Sequence, residues 1–261
     1  MSSEFENKWA LITGGTKGLG LSMAKELAQK GANLILSYRR DKEGDNASQE
    51  LLKNLGGKEC YIIQEDLSEE TAMESLFRKV KEITPHLNYY IHNAAATAFK
   101  NLLEIKAHHI DKTLNITVKG FIIGVQEALP LMEKNGGNIL GISGMDTLRA
   151  VPKHGLLGAA KSALETLINY YAHELAPKGI RVNGINPGFF PTESTEIYLG
   201  PMFNHVVKGN NSLIPGKIEA SSERVAKAGV LLLEERSHWI VGQTIKVDGG
   251  ADFSIPLLSP Q

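Results

Sequence analysis

The chain has 261 residues, with 28 Lys+Arg against 29 Asp+Glu and a formal net charge of −1. This length buries a core without disulfides or metals, and the near-neutral charge argues against a nucleic-acid-binding or polybasic membrane-binding protein. The single cysteine, Cys60, excludes an internal disulfide framework and fits a reducing, cytoplasmic setting.

Glycine is the outlier of the composition: 26 residues against about 18 at average usage. No apolar run reaches the ~18 residues of a membrane span. The first residues carry acids where a signal peptide is basic. The eight histidines are scattered, without an HExxH or Cys/His ligand spacing, so no metal site is expected.

In chain order, Trp9–Ile12 reads as a strand. Leu19, Met23 and Leu27 follow at a spacing of four, the signature of an amphipathic helix. Further strands are expected at 33–38, 59–64, 89–92, 138–143, 181–186 and 244–247. The intervening helices are expected at 46–55, 69–83, 107–133, 158–176 and 222–233, with Gly31, Gly136 and Gly179 at helix ends. Continuous apolar strands alternating with helices imply a parallel sheet covered on both faces. The expected fold is α/β: one doubly wound Rossmann domain over residues 1–261, seven-stranded, with ligands at the carboxyl ends of the strands. Residues 193–220 break the rhythm and read as a substrate lid or a surface excursion packed on the core.

Thr13–Gly20, TGGTKGLG, joins the first strand to the first helix. Gly14, Gly18 and Gly20, with Thr16, Lys17 and Leu19 between them, form a turn whose backbone can approach a pyrophosphate. The helix N-terminus behind it offers unpaired N–H groups and a positive dipole end. The second strand ends in Tyr38-Arg39-Arg40. A cofactor with a free ribose diol favours an acid there, whereas a 2′-phosphate favours arginine, so NADP(H) is the expected cofactor. Lys17 is placed to close on the same phosphate. The plainer alternative for Arg39 and Arg40 is a solvated strand end.

Asp66-Leu67 follows the third strand, and Asn93-Ala94-Ala95 the fourth. Asn115 lies in the next helix, Lys161 in the one after, and Pro187-Gly188 precede Thr192. With TGGTKGLG and a late Asp248-Gly249-Gly250, this order resembles the short-chain dehydrogenase/reductase superfamily from about Lys8 to Gly250. Leu131–Ser143 and the Asn-Ala-Ala turn are most similar to bacterial NADPH-dependent enoyl-acyl-carrier-protein reductases of the short-chain type. The resemblance implies that Asp66 and Leu67 flank the adenine and that Asn93 contacts the cofactor ribose region. It also implies that Thr192 binds the carboxamide, that Lys161 holds the nicotinamide ribose, and that the protein is a homotetramer. The apolar residues Leu164, Leu167, Ile168 and Tyr171 are expected at subunit contacts.

Superfamily members carry a catalytic serine after the fifth strand and a tyrosine four residues before the lysine. Those positions hold Gly144 and Leu157 here. The resembling enoyl reductases place the tyrosine seven residues before the lysine, where this chain has His154. An imidazole can donate a proton near neutral pH, so Lys161, Asn115 and His154 are the candidate catalytic residues. The plain alternative for His154 is a loop histidine. Tyr198 is a second candidate donor, and Phe189 and Phe190 read as pocket lining or core. Three functions follow: an NADPH-dependent enoyl-thioester reductase acting on a small or carrier-bound acyl substrate, a cofactor-binding relative without redox chemistry, or a ketoreductase.

Overall fold

Short apolar runs become strands, and the central ones are buried on both faces. The computed structural model describes residues 3–39, 42–56 and 59–253. Its strands are β1 (Trp9–Ile12), β2 (Asn33–Tyr38), β3 (Cys60–Gln64), β4 (Tyr89–His92), β5 (Gly137–Ile142), β6 (Ile180–Asn186) and β7 (Thr244–Lys246). They form a parallel sheet in the order β3-β2-β1-β4-β5-β6-β7. The order reverses between β1 and β4, which opens a crevice at their carboxyl ends.

The helices are α1 (Gly18–Gln29), α2 (Lys42–Asn54), α3 (Ala72–Ile83), α4 (Ala107–Leu114), α5 (Gly120–Met132), α6 (Gly155–Leu175), α7 (Glu193–Leu199), α8 (Phe203–Leu213) and α9 (Ser222–Leu231). Alternate strand residues feed two cores. Leu11, Ile35, Tyr90, Ile139 and Val182 pack with α3, α5 and α6 on one face. Ile12, Leu34, Leu36, Ile91 and Leu140 pack with α1 and α9 on the other. Each such side chain gains roughly 1.5–3 kcal/mol from full burial, so these two clusters rather than helix propensity fix the layers.

Three expectations change, and a fourth segment gains its elements. The helix expected over 107–133 is interrupted: residues Asn115–Lys119 form a π-helical turn in which the Gly120 amide bonds the Asn115 carbonyl, five residues back. One extra residue in a turn leaves the apolar run intact, so periodicity does not reveal it. The helix expected from 69 starts at Ala72, because Asp66 accepts the Ser68 and Glu69 amides in a turn. Residues 193–220, read as a substrate lid or a surface excursion packed on the core, hold α7 and α8. Finally, Leu164 and Ile168 are fully buried, and Leu167 and Tyr171 pack on the same core. They are the inner face of α6, not spare surface for a partner.

Candidate active site

The glycine turn is held from both sides. Ser37 of β2 accepts the Gly14 amide on its hydroxyl (3.2 Å) and the Gly15 amide on its carbonyl (3.1 Å). From β4, Asn93 Nδ2 donates to the carbonyls of Thr13 and Gly14, both at 3.0 Å. The buried Thr13 hydroxyl accepts the Asn93 and Ala94 amides. Gly20 sits beneath this lattice: a Cβ there would overlap the Gly14 carbonyl and press on Asn93 Nδ2. Leu19 is buried behind the turn. Gly14 and Gly18 take positive φ of 62° and 54°. A Cβ on Gly18 would meet only Thr192, at 4.0 Å. The extended residue Lys17 precedes α1 without capping it by its side chain. The first-turn amides and the positive helix end are therefore disposed for an anion, and the cradle fits a dinucleotide pyrophosphate.

Thr16 is half-buried, and its carbonyl accepts the Ser48 hydroxyl at 3.1 Å. Lys17 is exposed and pairs with Glu193 of α7 at 3.7 Å. Tyr38 is half-buried at the end of β2 and Arg39 beside it is exposed. Arg40 lies outside the described residues. Asp66 holds the Ser68 amide and hydroxyl at 3.1 and 2.7 Å. Partial burial opposes its charge, but these hydrogen bonds, helped by Arg39 and Lys112, keep its carboxyl below the usual range. Leu67 is buried next to it. Arg39 and Asp66 thus share the end of β2 and β3. Asn93 follows β4 at the crevice, with its amide nitrogen committed to the glycine turn.

Lys161 is buried on α6 and donates to the carbonyl of Ile142 at the end of β5. Burial pulls its pKa down to about 8, against the attraction of Asp146 and Glu165. Below it, Glu165 accepts hydrogen bonds from Ser143 (2.5 Å) and Thr147 (3.0 Å). Asn186 of β6 ties in by donating to the Gly144 carbonyl at 2.8 Å. Asn115, half-buried, opens the π-helical turn. Pro187 is buried, Gly188 takes a φ of +61°, and Thr192 caps α7 by accepting the Thr195 amide at 3.1 Å.

The sequence reading missed Asp146. Gly144, at the position that the resemblance gives to a serine, leaves room that the Asp146 carboxylate fills: a Cβ on Gly144 would overlap Asp146 Oδ1. Asp146 Oδ2 stands 3.8 Å from His154 Nδ1. The imidazole lies against the rings of Phe99 (5.0 Å) and Tyr198 (4.8 Å). Tyr198 donates its hydroxyl to the Pro152 carbonyl at 2.8 Å, so its proton is already engaged. Leu157 is half-buried one turn from His154. Phe189 and Phe190 line a largely apolar cavity with Ile214, Val225 and Val247, and neither Lys161 nor His154 borders it. The available signal for Asp146 was an acid two residues past a glycine in the serine position.

The chain is similar to known proteins over most of its length. The model of the family described as Enoyl-(Acyl carrier protein) reductase matches residues 14–252. The chain belongs to this family of short-chain dehydrogenases/reductases. It is 31% identical over 247 residues to the 1-cyclohexenylcarbonyl-CoA reductase of Streptomyces collinus, covering 95% of this chain and 88% of that one. It is 29% identical to the 3-oxoacyl-[acyl-carrier-protein] reductase of Chlamydia muridarum, over 96% of this chain and 99% of the other. Among solved structures, a short chain dehydrogenase from Burkholderia cenocepacia in complex with NADP superposes with a TM-score of 0.85. That match has 28% identity and covers 95% of this chain and 99% of the other. The short-chain reductase shares its doubly wound sheet with these relatives and is an oxidoreductase of their class.

Proposed function

We propose that the protein is an NADP(H)-dependent reductase of the carbon–carbon double bond of an enoyl thioester. The observation that carries this reading is the position of His154. It precedes the first turn of α6, the helix of Lys161, and its buried Nε2 has no hydrogen-bond partner among the described residues, while the serine and tyrosine positions hold Gly144 and Leu157. The Streptomyces relative, named for reducing a CoA thioester, supports the substrate class.

In this reading the turn from Gly14 to Gly20 and the start of α1 hold the pyrophosphate. Arg39, with Lys17 and Arg40, neutralises the 2′-phosphate, and Asp66 and Leu67 flank the adenine. Lys161 holds the nicotinamide ribose, Thr192 with Pro187 and Gly188 shapes the carboxamide end, and Asn115 supports the floor. When bound there, NADPH would supply the hydride for the β-carbon. His154 then stabilises the oxygen on which negative charge develops, a demand for electrostatics more than for full acid strength. Tyr198 of α7 closes over the imidazole, which supports residues 193–220 as a lid on the site. A ketoreductase has the Chlamydia relative in its favour, but it depends most on the hydroxyl acid this site lacks.

The test measures NADPH oxidation with an enoyl-CoA and, separately, with a 3-ketoacyl-CoA. Enoyl turnover is expected, falling by about 10²–10³ in His154→Ala with NADPH affinity retained. Cofactor binding without enoyl turnover would overturn the reading. The homotetramer implied by the resemblance remains a proposal, favoured by aromatics such as Tyr170 and Trp239, which are 67% and 90% exposed. Light scattering at micromolar concentration is expected to show an assembly, and a monomer removes it.

A further inference from the structure

We infer that Asp146 is the positioning carboxylate of His154, so that an Asp–His pair stands where relatives use hydroxyls. This rests on the reading of His154 as the donor.

Three independent features converge on the pair. The first is space. Gly144 and Gly158 flank Asp146, and a Cβ on Gly144 would overlap its carboxylate, while one on Gly158 would press on its backbone carbonyl (2.6 Å). The chain gives up a side chain at the end of β5 and another in the first turn of α6, and an acid occupies the room. The second is unsatisfied polarity. Asp146 Oδ2 and His154 Nε2 are both buried without a hydrogen-bond partner among the described residues. Buried polar groups in folded proteins are nearly always paired, so a lone one needs a reason. A carboxylate held in this state costs folding free energy unless a cation faces it. The third is direction. Nδ1 faces Asp146 at 3.8 Å, and the side chains are only 19% and 6% exposed. Phe99 and Tyr198 restrict the imidazole on its ring faces. With Nδ1 toward the acid, the other nitrogen, Nε2, is the one without a hydrogen-bond partner among the described residues.

Lys161 also attracts Asp146 electrostatically. The proton step follows. In the proposed step the imidazolium carries protons on both nitrogens, with Nδ1–H facing Asp146 across 3.8 Å. After hydride has reached the β-carbon, the Nε2–H bond breaks as an O–H bond forms on the enolate oxygen. A neutral Nδ1–H imidazole remains beside Asp146. The enol takes a proton at its α-carbon from water and releases its hydroxyl proton, and Nε2 recovers a proton from water. One hydride from the reduced nicotinamide and one proton are consumed per turnover.

The decisive experiment uses the intact protein and needs no substrate. Nitrogen-15 spectra of the neutral His154 imidazole, assigned by its loss in His154→Ala, report which nitrogen carries the proton. The expected result is protonation at Nδ1, lost or mixed in Asp146→Asn. A neutral form protonated at Nε2 in the parent overturns the inference, and this measurement stands even if a variant folds poorly. In kinetics, Asp146→Asn is expected to lower kcat by about 10–100-fold, on the scale of a misoriented catalytic group, with KM for NADPH unchanged. If Asp146→Asn turns over like the parent while His154→Ala is slow, the pairing is wrong and His154 remains the donor. If His154→Ala itself is fully active, the donor assignment fails instead.

Discussion

Asn93 Nδ2 stands 3.0 Å from the Gly14 carbonyl, joining the end of β4 to the turn that follows β1. The same nitrogen holds the Thr13 carbonyl, and Gly20 has no side chain to push it away. Two strands that are neighbours in the sheet are thereby locked at the crevice mouth. Asn93→Ala leaves both carbonyls without this donor and is expected to cost about 1–3 kcal/mol of stability. NADPH affinity should fall with it, because the turn loses its support. Denaturant unfolding and fluorescence titration of NADPH check both effects. Unchanged affinity would show that the turn holds its shape without Asn93.

Lys161 predicts a pH dependence of stability. Its folded pKa is about 8 against an ordinary 10.5, because burial disfavours the charge. Between these values the unfolded chain binds more protons than the folded one, so stability rises with pH across this window. The burial penalty is fully present below about pH 8 and vanishes above 10.5. In the cofactor-free protein, the parent is expected to gain roughly 3 kcal/mol relative to Lys161→Met between those limits. Urea unfolding at pH 7.5 and pH 10 measures the difference. A flat difference would mean that the amine titrates normally.

Arg39 governs cofactor choice in the proposed site. Arg39→Asp is expected to weaken NADPH by about 1–3 kcal/mol, the scale of a lost charge-assisted contact. NADH, which lacks the 2′-phosphate, should lose far less. Paired titrations with the two cofactors check this. Equal losses for both would place the phosphate elsewhere.

Asp146 sets what it takes to restore ordinary ketone chemistry. Gly144→Ser with Leu157→Tyr supplies the missing hydroxyls, but the serine Cβ overlaps Asp146 Oδ1. The double variant is therefore expected to lose stability and show no ketoreduction. Adding Asp146→Ala frees the space, and this triple variant is expected to reduce a 3-ketoacyl-CoA. Ketoreduction by the double variant would show that Asp146 moves aside readily.

The sequence by itself determined the layers and the glycine turn at the crevice. Alternating apolar strands and helices with period 3.6 leave few topologies, since a parallel strand must be covered on both faces. The glycines of the turn at 13–20 are local requirements of backbone geometry, and such requirements are written in consecutive residues. Tertiary structure alone decided the rest. The π-helical turn at Asn115 adds one residue without disturbing the apolar run, so only the Gly120–Asn115 hydrogen bond shows it. Leu164 and Ile168 look like spare apolar surface until β5 and β6 are seen to need covering. Asp146 and His154 are eight residues apart in sequence and approach because the chain turns back after β5 into α6. A pattern of residue types marks which groups are present. The meeting of a carboxylate with an imidazole depends on the path of the backbone between them, and on two glycines that leave room for it.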